Sequence, residues 1–245
     1  MQNLITAVSL KMYFERDRTL SYCSALKDLV SKNPGLTDKV RLTVLPDFLT
    51  IPEAGKIFEG SGVELGAQDL AFEDRGAFTG EVSGFDLAKL GVKVVEVGHA
   101  ERRTIFREDD DMVAKKVAAA SRNTIIPLLC IGEQQKTTAE EAAELCVSQV
   151  WSALKYAEPS EIWLGYEPHW AIGAVEPARP EYVSEVCRNI RKNLTDLSSV
   201  SILYGGSAGP GLVTKLDKAI DGLFLGRFAH DPQAFIDVAK ETIAR

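Results

Sequence analysis

Three side chains that can take, hold or stabilise a proton follow predicted strands: Lys11, His99 and Glu167. Glu167 ends the apolar run 163–166, and Pro168 follows at once and stops the strand. Burying an isolated carboxylate is costly unless it is paired or its pKa shifts. The three types together suit proton abstraction next to a carbonyl: the glutamate is the base, a neutral histidine donates to the carbonyl oxygen, and the lysine stabilises the enediolate. The alternative interpretation of Glu167 is a strand-end glutamate satisfied by its neighbours.

Eight short apolar or β-branched segments recur at intervals of about 30 residues and predict strands. They lie at 4–9, 41–45, 62–67, 92–98, 124–131, 161–167, 200–204 and 220–225. Seven are followed by a helical pattern, whereas residues 68–83, after the third, form a loop rich in glycine and charge. This alternation predicts a single (β/α)8 TIM barrel over residues 1–245. An open doubly wound sheet is the alternative, but no Gly-x-Gly-x-x-Gly follows the first strand.

Helix start signals support the helices late in the chain. Thr138 and Glu141 form a capping box. Pro180 stands where a first helical residue belongs, and Asp231-Pro232 begins the last helix in the same way.

The predicted barrel gathers the carboxyl ends of its strands at one mouth, where active sites of this fold lie. The polar or glycine-rich positions there are Ser9, Lys11, Gln68, His99, Glu101, Cys130, Glu133, Glu167, Gly205-Gly206-Ser207 and Gly226-Arg227. Glycine-rich ends on strands seven and eight present backbone N–H groups that suit a phosphate dianion. Either cluster alone is better explained as a tight turn, but the two together favour phosphate. Cys130 is interpreted as a packed core residue, because no histidine is local to it.

Composition narrows the possible partners and compartment. The formal net charge of −7 argues against nucleic acid as a partner. No apolar stretch approaches the length of about 18 residues needed to cross a membrane, and residues 1–4 lack the basic start of a signal peptide. Four scattered cysteines and the absence of a Cys-x-x-Cys pair favour a reduced, cytoplasmic protein. No metal-binding spacing is present, and neither a metal nor a cofactor is expected.

Several motifs in order make the chain similar to the triosephosphate isomerase family over its whole length. They are Leu10-Lys11-Met12, Gly66-Ala67-Gln68, residues 76–81 (Gly-Ala-Phe-Thr-Gly-Glu), 97–103 (Val-Gly-His-Ala-Glu-Arg-Arg), 130–133 (Cys-Ile-Gly-Glu), 166–173 (Tyr-Glu-Pro-His-Trp-Ala-Ile-Gly) and 204–207 (Tyr-Gly-Gly-Ser). A glutamate base beside a neutral histidine is a known feature of that family. The resemblance implies Lys11, His99 and Glu167 as the catalytic set, with Ser9 and Glu101 beside them.

The resemblance also implies how a substrate is held and how the chain assembles. Phosphate contacts are expected from the amides of Gly173, Ser207 and Gly226, with residues 168–178 as a closing lid. The loop 68–83 is expected to insert into a partner subunit, which makes the protein a homodimer.

Four departures from the family pattern bear on the substrate. Ser9 stands where the family usually has asparagine, and Ala100 where it has serine. Phe224 and Arg227 stand where leucine and a second glycine are usual. Space is therefore gained at the reacting end of the pocket and lost at the phosphate end. Arg227 matches a phosphate in geometry, although it could equally point out to solvent.

Three hypotheses follow. The leading one is an aldose–ketose isomerase that interconverts glyceraldehyde 3-phosphate and dihydroxyacetone phosphate, or a paralogue acting on a larger ketose phosphate such as an erythrulose phosphate. A phosphate-binding barrel lyase or synthase is the second. The third is a non-catalytic barrel that only binds a phosphorylated metabolite, against which Lys11, His99 and Glu167 argue.

Overall fold

The computed structural model describes residues 4–172, 178–206 and 208–245. Its strands are β1 (Ile5–Ser9), β2 (Arg41–Leu45), β3 (Val63–Ala67), β4 (Val94–Val97), β5 (Ile126–Ile131), β6 (Ile162–Tyr166), β7 (Val200–Tyr204) and β8 (Gly222–Leu225). Its α-helices are α1 (Arg16–Ser31), α2 (Ile51–Phe58), α3 (Gly84–Lys89), α4 (Ala100–Ile105), α5 (Asp110–Arg122), α6 (Ala139–Ala153), α7 (Pro180–Asn193) and α8 (Pro232–Ala244).

The strands form one closed parallel barrel. Each strand pairs with the next along the chain, and β8 returns to β1 with Gly222 opposite Ile5. The predicted (β/α)8 barrel is therefore confirmed, and all eight predicted strands fall where the sequence pattern indicated. Because the strands are parallel, their carboxyl ends share one mouth.

Alternating side chains along each strand divide the apolar core into two layers. The inner layer fills the barrel with Ile5, Ala7, Leu45, Val94, Leu128, Cys130, Trp163, Leu203 and Phe224. The outer layer packs the strands against the surrounding helices. Cys130 is thus a core residue, as predicted, and all four cysteines are buried and unpaired.

The predicted helix starts are present. Thr138 accepts from the amide of Glu141, whose carboxylate accepts from the amide of Thr138. Pro180 is the first residue of α7, and the Asp231 side chain caps α8 by accepting from the amide of Gln233. Within the described segments, no helix is long and apolar enough to cross a membrane.

The prediction of a helix after β7 is wrong. Among the described residues between β7 and β8, the only helical element is a single 3-10 turn at Val213–Lys215. This connection contains Gly205, Gly206 and Gly209-Pro210-Gly211, and both residue types disfavour an α-helix. The absence of a long helix leaves the backbone after β7 free to line the mouth.

The loop 68–83 has no regular structure, as predicted, but its first residues are held firmly. The carboxylate of Asp69 accepts from Nζ of Lys116 at 2.7 Å and lies 2.8 Å from Nε of Arg102. Farther along, the rings of Phe72 and Phe78 pack edge to face with centroids 5.1 Å apart. The loop is thus anchored beside the mouth while most of its outer part, residues 75–81, is exposed.

Candidate active site

The mouth of the barrel contains a cavity of 430 Å³. Seven of the nine residues that the sequence singled out line it: Ser9, Lys11, His99, Glu101, Glu167, Gly226 and Arg227. The other two, Gly173 and Ser207, lie outside the described residues, as do residues 173–177 of the expected lid. Four different strands, β1, β4, β6 and β8, supply the seven residues, so the closed barrel brings them together.

Glu167 follows β6 and turns its carboxylate into the cavity. Oε2 lies 3.3 Å from Nε2 of His99, and Oε1 accepts from the amide of Gly206 at 3.4 Å. A Cβ on Gly205 would lie 2.4 Å from Cγ of Glu167. A Cβ on Gly132 would lie 1.9 Å from the backbone carbonyl oxygen of Glu167. Two neighbouring strand ends therefore have to carry glycine for Glu167 to occupy this place.

His99 follows β4 and caps the amino end of α4. Its Nδ1 accepts from the amide of Glu101 at 3.1 Å, which leaves Nε2 to carry the ring proton toward the cavity. Burial lowers the pKa of His99 and the carboxylates of Glu96 and Glu167 raise it by more, but a protonated Nδ1 could not accept from the Glu101 amide, so the ring bound in this way is the neutral Nε2–H form. Burial raises the pKa of Glu167, and its contacts with His99 and Lys11 overcome that and lower it below its usual range. The site thus holds an ionised carboxylate beside an Nε2–H donor.

Lys11 follows β1 in a strained conformation with φ of +49°. Nε2 of Gln68 stabilises this turn by donating to the carbonyl oxygens of Lys11 and Leu45 at 3.1 and 3.0 Å. The side chain lies across the mouth, where Nζ contacts Oε1 of Glu101 at 2.8 Å. Burial lowers the pKa of Lys11, but Glu101 and then Glu167 raise it by more, so the ammonium is held charged.

Glu96 is a residue that sequence reasoning missed. It points into the barrel from β4, is 3% exposed, and its Oε2 accepts from the hydroxyl of Ser9 at 2.9 Å. Burial raises the pKa of this carboxyl group, and His99 offsets only part of the increase. A signal was present in the sequence: Glu96 is two residues after Val94, so it shares the inward-facing side of a buried strand.

The start of the expected lid is tied to another buried carboxylate, Glu133. Its Oε1 accepts from Nε1 of Trp170 at 2.8 Å and from the hydroxyl of Tyr182 at 2.9 Å. The hydroxyl of Tyr166 donates to the same carboxylate from β6. Glu133 therefore joins the strand that carries Glu167 to the first residues of the loop after it.

The end of β8 forms a further part of the cavity lining. Gly226 has no atom within 4 Å of where a Cβ would stand, so its backbone faces open space. Arg227 is exposed, lines the cavity and has no carboxylate partner among the described residues. A positive side chain and unhindered backbone thus lie opposite the carboxylates of the reacting end.

We predict that Gly205→Ala will lower kcat about 100-fold, because a new methyl group displaces Glu167 by roughly 1 Å. Gly165→Ala is the matched control on β6, since its nearest neighbour would be 3.5 Å away in ordinary contact. Steady-state kinetics of both variants measures the effect. Equal activity of the two variants would contradict the role given to Gly205.

Comparison with known proteins agrees with this geometry. The triosephosphate isomerase family model matches residues 4–242. An L-erythrulose-1-phosphate isomerase of Pectobacterium atrosepticum is 46% identical, covering 98% of this chain and 96% of its own. A second L-erythrulose-1-phosphate isomerase, of Rhizobium etli, is 37% identical over 94% of this chain and 89% of its own. A triosephosphate isomerase of Gloeothece citriformis is 34% identical over 97% and 98%.

Both kinds of relative are isomerases named for sugar phosphates, and both align along nearly all of this chain. The family match, the closed barrel and the cavity shared by Lys11, His99 and Glu167 lead to one conclusion. The chain is a sugar-phosphate isomerase that belongs to the triosephosphate isomerase family.

Proposed function

We propose that this isomerase acts on L-erythrulose 1-phosphate and moves its carbonyl group from C2 to C3. The observation that supports the reaction is the convergence of Glu167, His99 and Lys11 on one cavity, with a base and an Nε2–H donor 3.3 Å apart. A ligand held between them meets a proton acceptor, a proton donor and a positive charge at once. These are the groups that an enediolate intermediate needs.

The proton transfers balance without a cofactor. Glu167 takes the proton from C3 while Nε2 of His99 donates to the oxygen on C2. The electron pair of the broken C3–H bond forms the C2–C3 double bond of an enediolate, whose charge Lys11 offsets. Glu167 then returns the proton to C2, the proton of the C3 hydroxyl is transferred to the oxygen on C2, and the product is an erythrulose 4-phosphate.

The four-carbon substrate is favoured by what surrounds the reacting carbon. L-Erythrulose 1-phosphate is dihydroxyacetone phosphate with a hydroxymethyl group in place of one hydrogen on that carbon. Ser9 is small and lies on the cavity lining beside His99, at a position where the family usually has the larger asparagine. Two relatives at 46% and 37% identity bear the name of this activity.

Interconversion of the triose phosphates is the second candidate. It requires the same three groups, and the Gloeothece citriformis relative that bears that name is 34% identical to the chain. A triose phosphate is smaller than the four-carbon ketose and places no demand on the space beside Ser9.

The phosphate group is proposed to bind between Gly226 and Arg227, with the amides of Gly173 and Ser207 as further donors. The exposed Arg227 and the open backbone of Gly226 on the cavity lining support this. The guanidinium fork matches two phosphate oxygens. Ser9 and Glu101 are proposed to hold the reacting groups in place, Glu101 through its contact with Nζ of Lys11.

We also propose that two copies of the chain associate through the loop 68–83. Large apolar side chains are exposed on the loops at the same end of the barrel: Met12, Leu49, Phe78, Ile105 and Phe106. Met12 is 93% and Leu49 81% exposed, and such a patch marks an interaction surface. A second copy, with the same patch, is a self-complementary partner.

The cytoplasm is the proposed compartment. Four buried, unpaired cysteines fit a reducing environment. The net charge of −7 disfavours binding to nucleic acid. The proposed partner is the phosphorylated sugar substrate.

We expect the protein to turn over L-erythrulose 1-phosphate with a higher kcat/KM than dihydroxyacetone phosphate. Glu167→Gln should lower kcat for the four-carbon substrate at least about 100-fold, because the base is lost while the phosphate contacts stay. An isomerisation panel of three-, four- and five-carbon sugar phosphates measures both. Preference for the triose would favour the second candidate, and turnover by Glu167→Gln within tenfold of the unmodified protein would reject the base.

Arg227→Gly should weaken binding of every phosphorylated substrate, as well as inhibition by inorganic phosphate. The expected loss is roughly 1.5–3 kcal/mol, the size of a charge-assisted hydrogen bond. Arg227→Lys is the matched control, because it keeps the positive charge and loses the forked guanidinium. Its affinity for phosphate should lie between that of the unmodified protein and that of Arg227→Gly. An inhibition constant for phosphate that is the same in all three proteins would show that Arg227 faces solvent.

Sedimentation velocity at micromolar concentration should show a dimer, and Phe78→Glu should shift it toward monomer. A charge placed in a desolvated interface is costly, whereas the same charge on an exposed helix is not. Leu145→Glu on α6 is the control, since Leu145 is also exposed but lies on a helix outside the patch. A monomer for the unmodified chain would reject the proposal.

A further inference from the structure

Glu96 is a buried carboxylate of the barrel interior that the proton transfers do not use. Its surroundings compensate the charge poorly: the hydroxyl of Ser9 lies at 2.9 Å, Sγ of Cys130 at 3.9 Å and Nε2 of His99 at 3.9 Å. A hydroxyl, a weak thiol donor and a histidine at 3.9 Å do not offset the cost of removing this carboxylate from water, since burial still raises its pKa. An apolar side chain would fill the same place at no such cost. A residue this unfavourable for stability calls for a role in binding or catalysis.

The contact between Ser9 and Glu96 determines what the cavity offers to a ligand. A serine hydroxyl has one proton and two lone pairs. The proton of Ser9 is committed to Oε2 of Glu96. The lone pairs of Ser9, which lines the cavity, are therefore the part left for a ligand. The negative charge behind the hydroxyl strengthens it as a hydrogen-bond acceptor.

An acceptor backed by negative charge selects a neutral donor and repels an anion. The phosphate is consequently directed to the cationic Arg227, which follows β8, four strands around the barrel from β4 and Glu96. The oxygens on the two reacting carbons already have donors in His99 and Lys11. The matching group is an additional hydroxyl attached next to the reacting carbon. Triose phosphates have no such hydroxyl, and the four-carbon ketose phosphate has one on its terminal carbon.

We propose that Ser9, supported by Glu96, binds the terminal hydroxymethyl group of a four-carbon ketose phosphate and so determines the chain length of the substrate. This inference rests on the proposed function. Ser9 contacts the substrate, and Glu96 is a positioning residue that acts through it. With a triose, this acceptor is left without its donor, which is the kind of mismatch that enzymes use to reject a substrate lacking a hydroxyl.

The test compares kcat/KM for L-erythrulose 1-phosphate and for dihydroxyacetone phosphate in Glu96→Gln and Ser9→Ala. Either change should lower the value for the four-carbon substrate about 10- to 100-fold, as expected for loss of a hydrogen bond supported by a charge. The ratio of the four-carbon value to the triose value should fall by about the same factor, because the triose makes no such bond and any effect on the shared reacting groups acts on both substrates. Ser9→Thr keeps the hydroxyl and should retain most of the four-carbon activity.

A matched control is available at the other end of the barrel interior. Glu64 is also an interior carboxylate, but it pairs with Arg41 at 2.9 Å. Glu64→Gln should leave the ratio between the two substrates unchanged. Thermal melts of all variants identify any that fail to fold, and Ser9→Ala, the smallest change, keeps the test valid if Glu96→Gln is lost.

A substrate analogue makes the test independent of stability. The 4-deoxy analogue of L-erythrulose 1-phosphate lacks only the terminal hydroxyl. The unmodified protein should turn it over about 10- to 100-fold less efficiently than the parent compound, and Glu96→Gln should treat the two alike.

Different results reject different statements. No turnover of L-erythrulose 1-phosphate by the unmodified protein rejects the proposed function and this inference with it. If the unmodified protein is active on it, equal losses for both substrates in Glu96→Gln would show that Glu96 acts on His99 instead. An unchanged substrate ratio in both variants would overturn the inference and leave the proposed function intact.

Discussion

The carboxylate of Glu167 occupies a space that exists only because its two neighbouring strands end in glycine. A Cβ on Gly205 or on Gly132 would overlap Glu167 itself. With those methyl groups absent, the carboxylate reaches His99 from the strand two positions away in the barrel. The contact between Glu167 and Nε2 of His99, on which the proposed proton transfers rest, depends on this fit. Both positions require glycine, because any side chain there would overlap Glu167.

The charges around the mouth are arranged by function more than by stability. Glu96, Glu101 and Glu167 face Lys11 and His99, and only Lys11–Glu101 forms a close ion pair among them. The carboxylates raise the pKa of His99, while the bond from the Glu101 amide to Nδ1 keeps the ring proton on Nε2. The result is one wall of the cavity that is rich in carboxylates. Our proposal that the phosphate dianion binds at Arg227 follows from this, because Arg227 follows β8, four strands around the barrel from β4.

The same orientation explains how one catalytic set could serve substrates of different length. In the proposed reaction Lys11, His99 and Glu167 act on two adjacent carbons, whatever is attached beyond them. The groups beyond them are Ser9 and Glu96, which lie deeper in the barrel than the three reacting side chains. On our proposal, the interior layer of this barrel determines substrate length separately from the groups that transfer the protons.

Local features of the sequence were sufficient for the fold and for most of the site. Strand periodicity, the capping box at Thr138 and Glu141, and the proline after Glu167 depend only on neighbouring residues, so they could be interpreted before the structure. The end of a parallel strand must lie at the mouth, and that rule placed Ser9, Lys11, His99, Glu167 and Gly226 correctly. The prediction of a helix after β7 was wrong. The glycines and Pro210 of that connection disfavour a helix more strongly than the barrel repeat favours one.

What only the tertiary structure decided are the contacts between distant strands. Ser9 and Glu96 are 87 residues apart, and their hydrogen bond exists because the closed barrel turns both side chains inward. Glycine at 205 was interpreted from sequence as part of a phosphate loop, whereas the packing shows that it makes room for Glu167. Residue types and spacing determine which side chains arrive at the mouth. The distances between them, on which chemistry depends, follow from how β1, β4, β6 and β7 are staggered around the barrel.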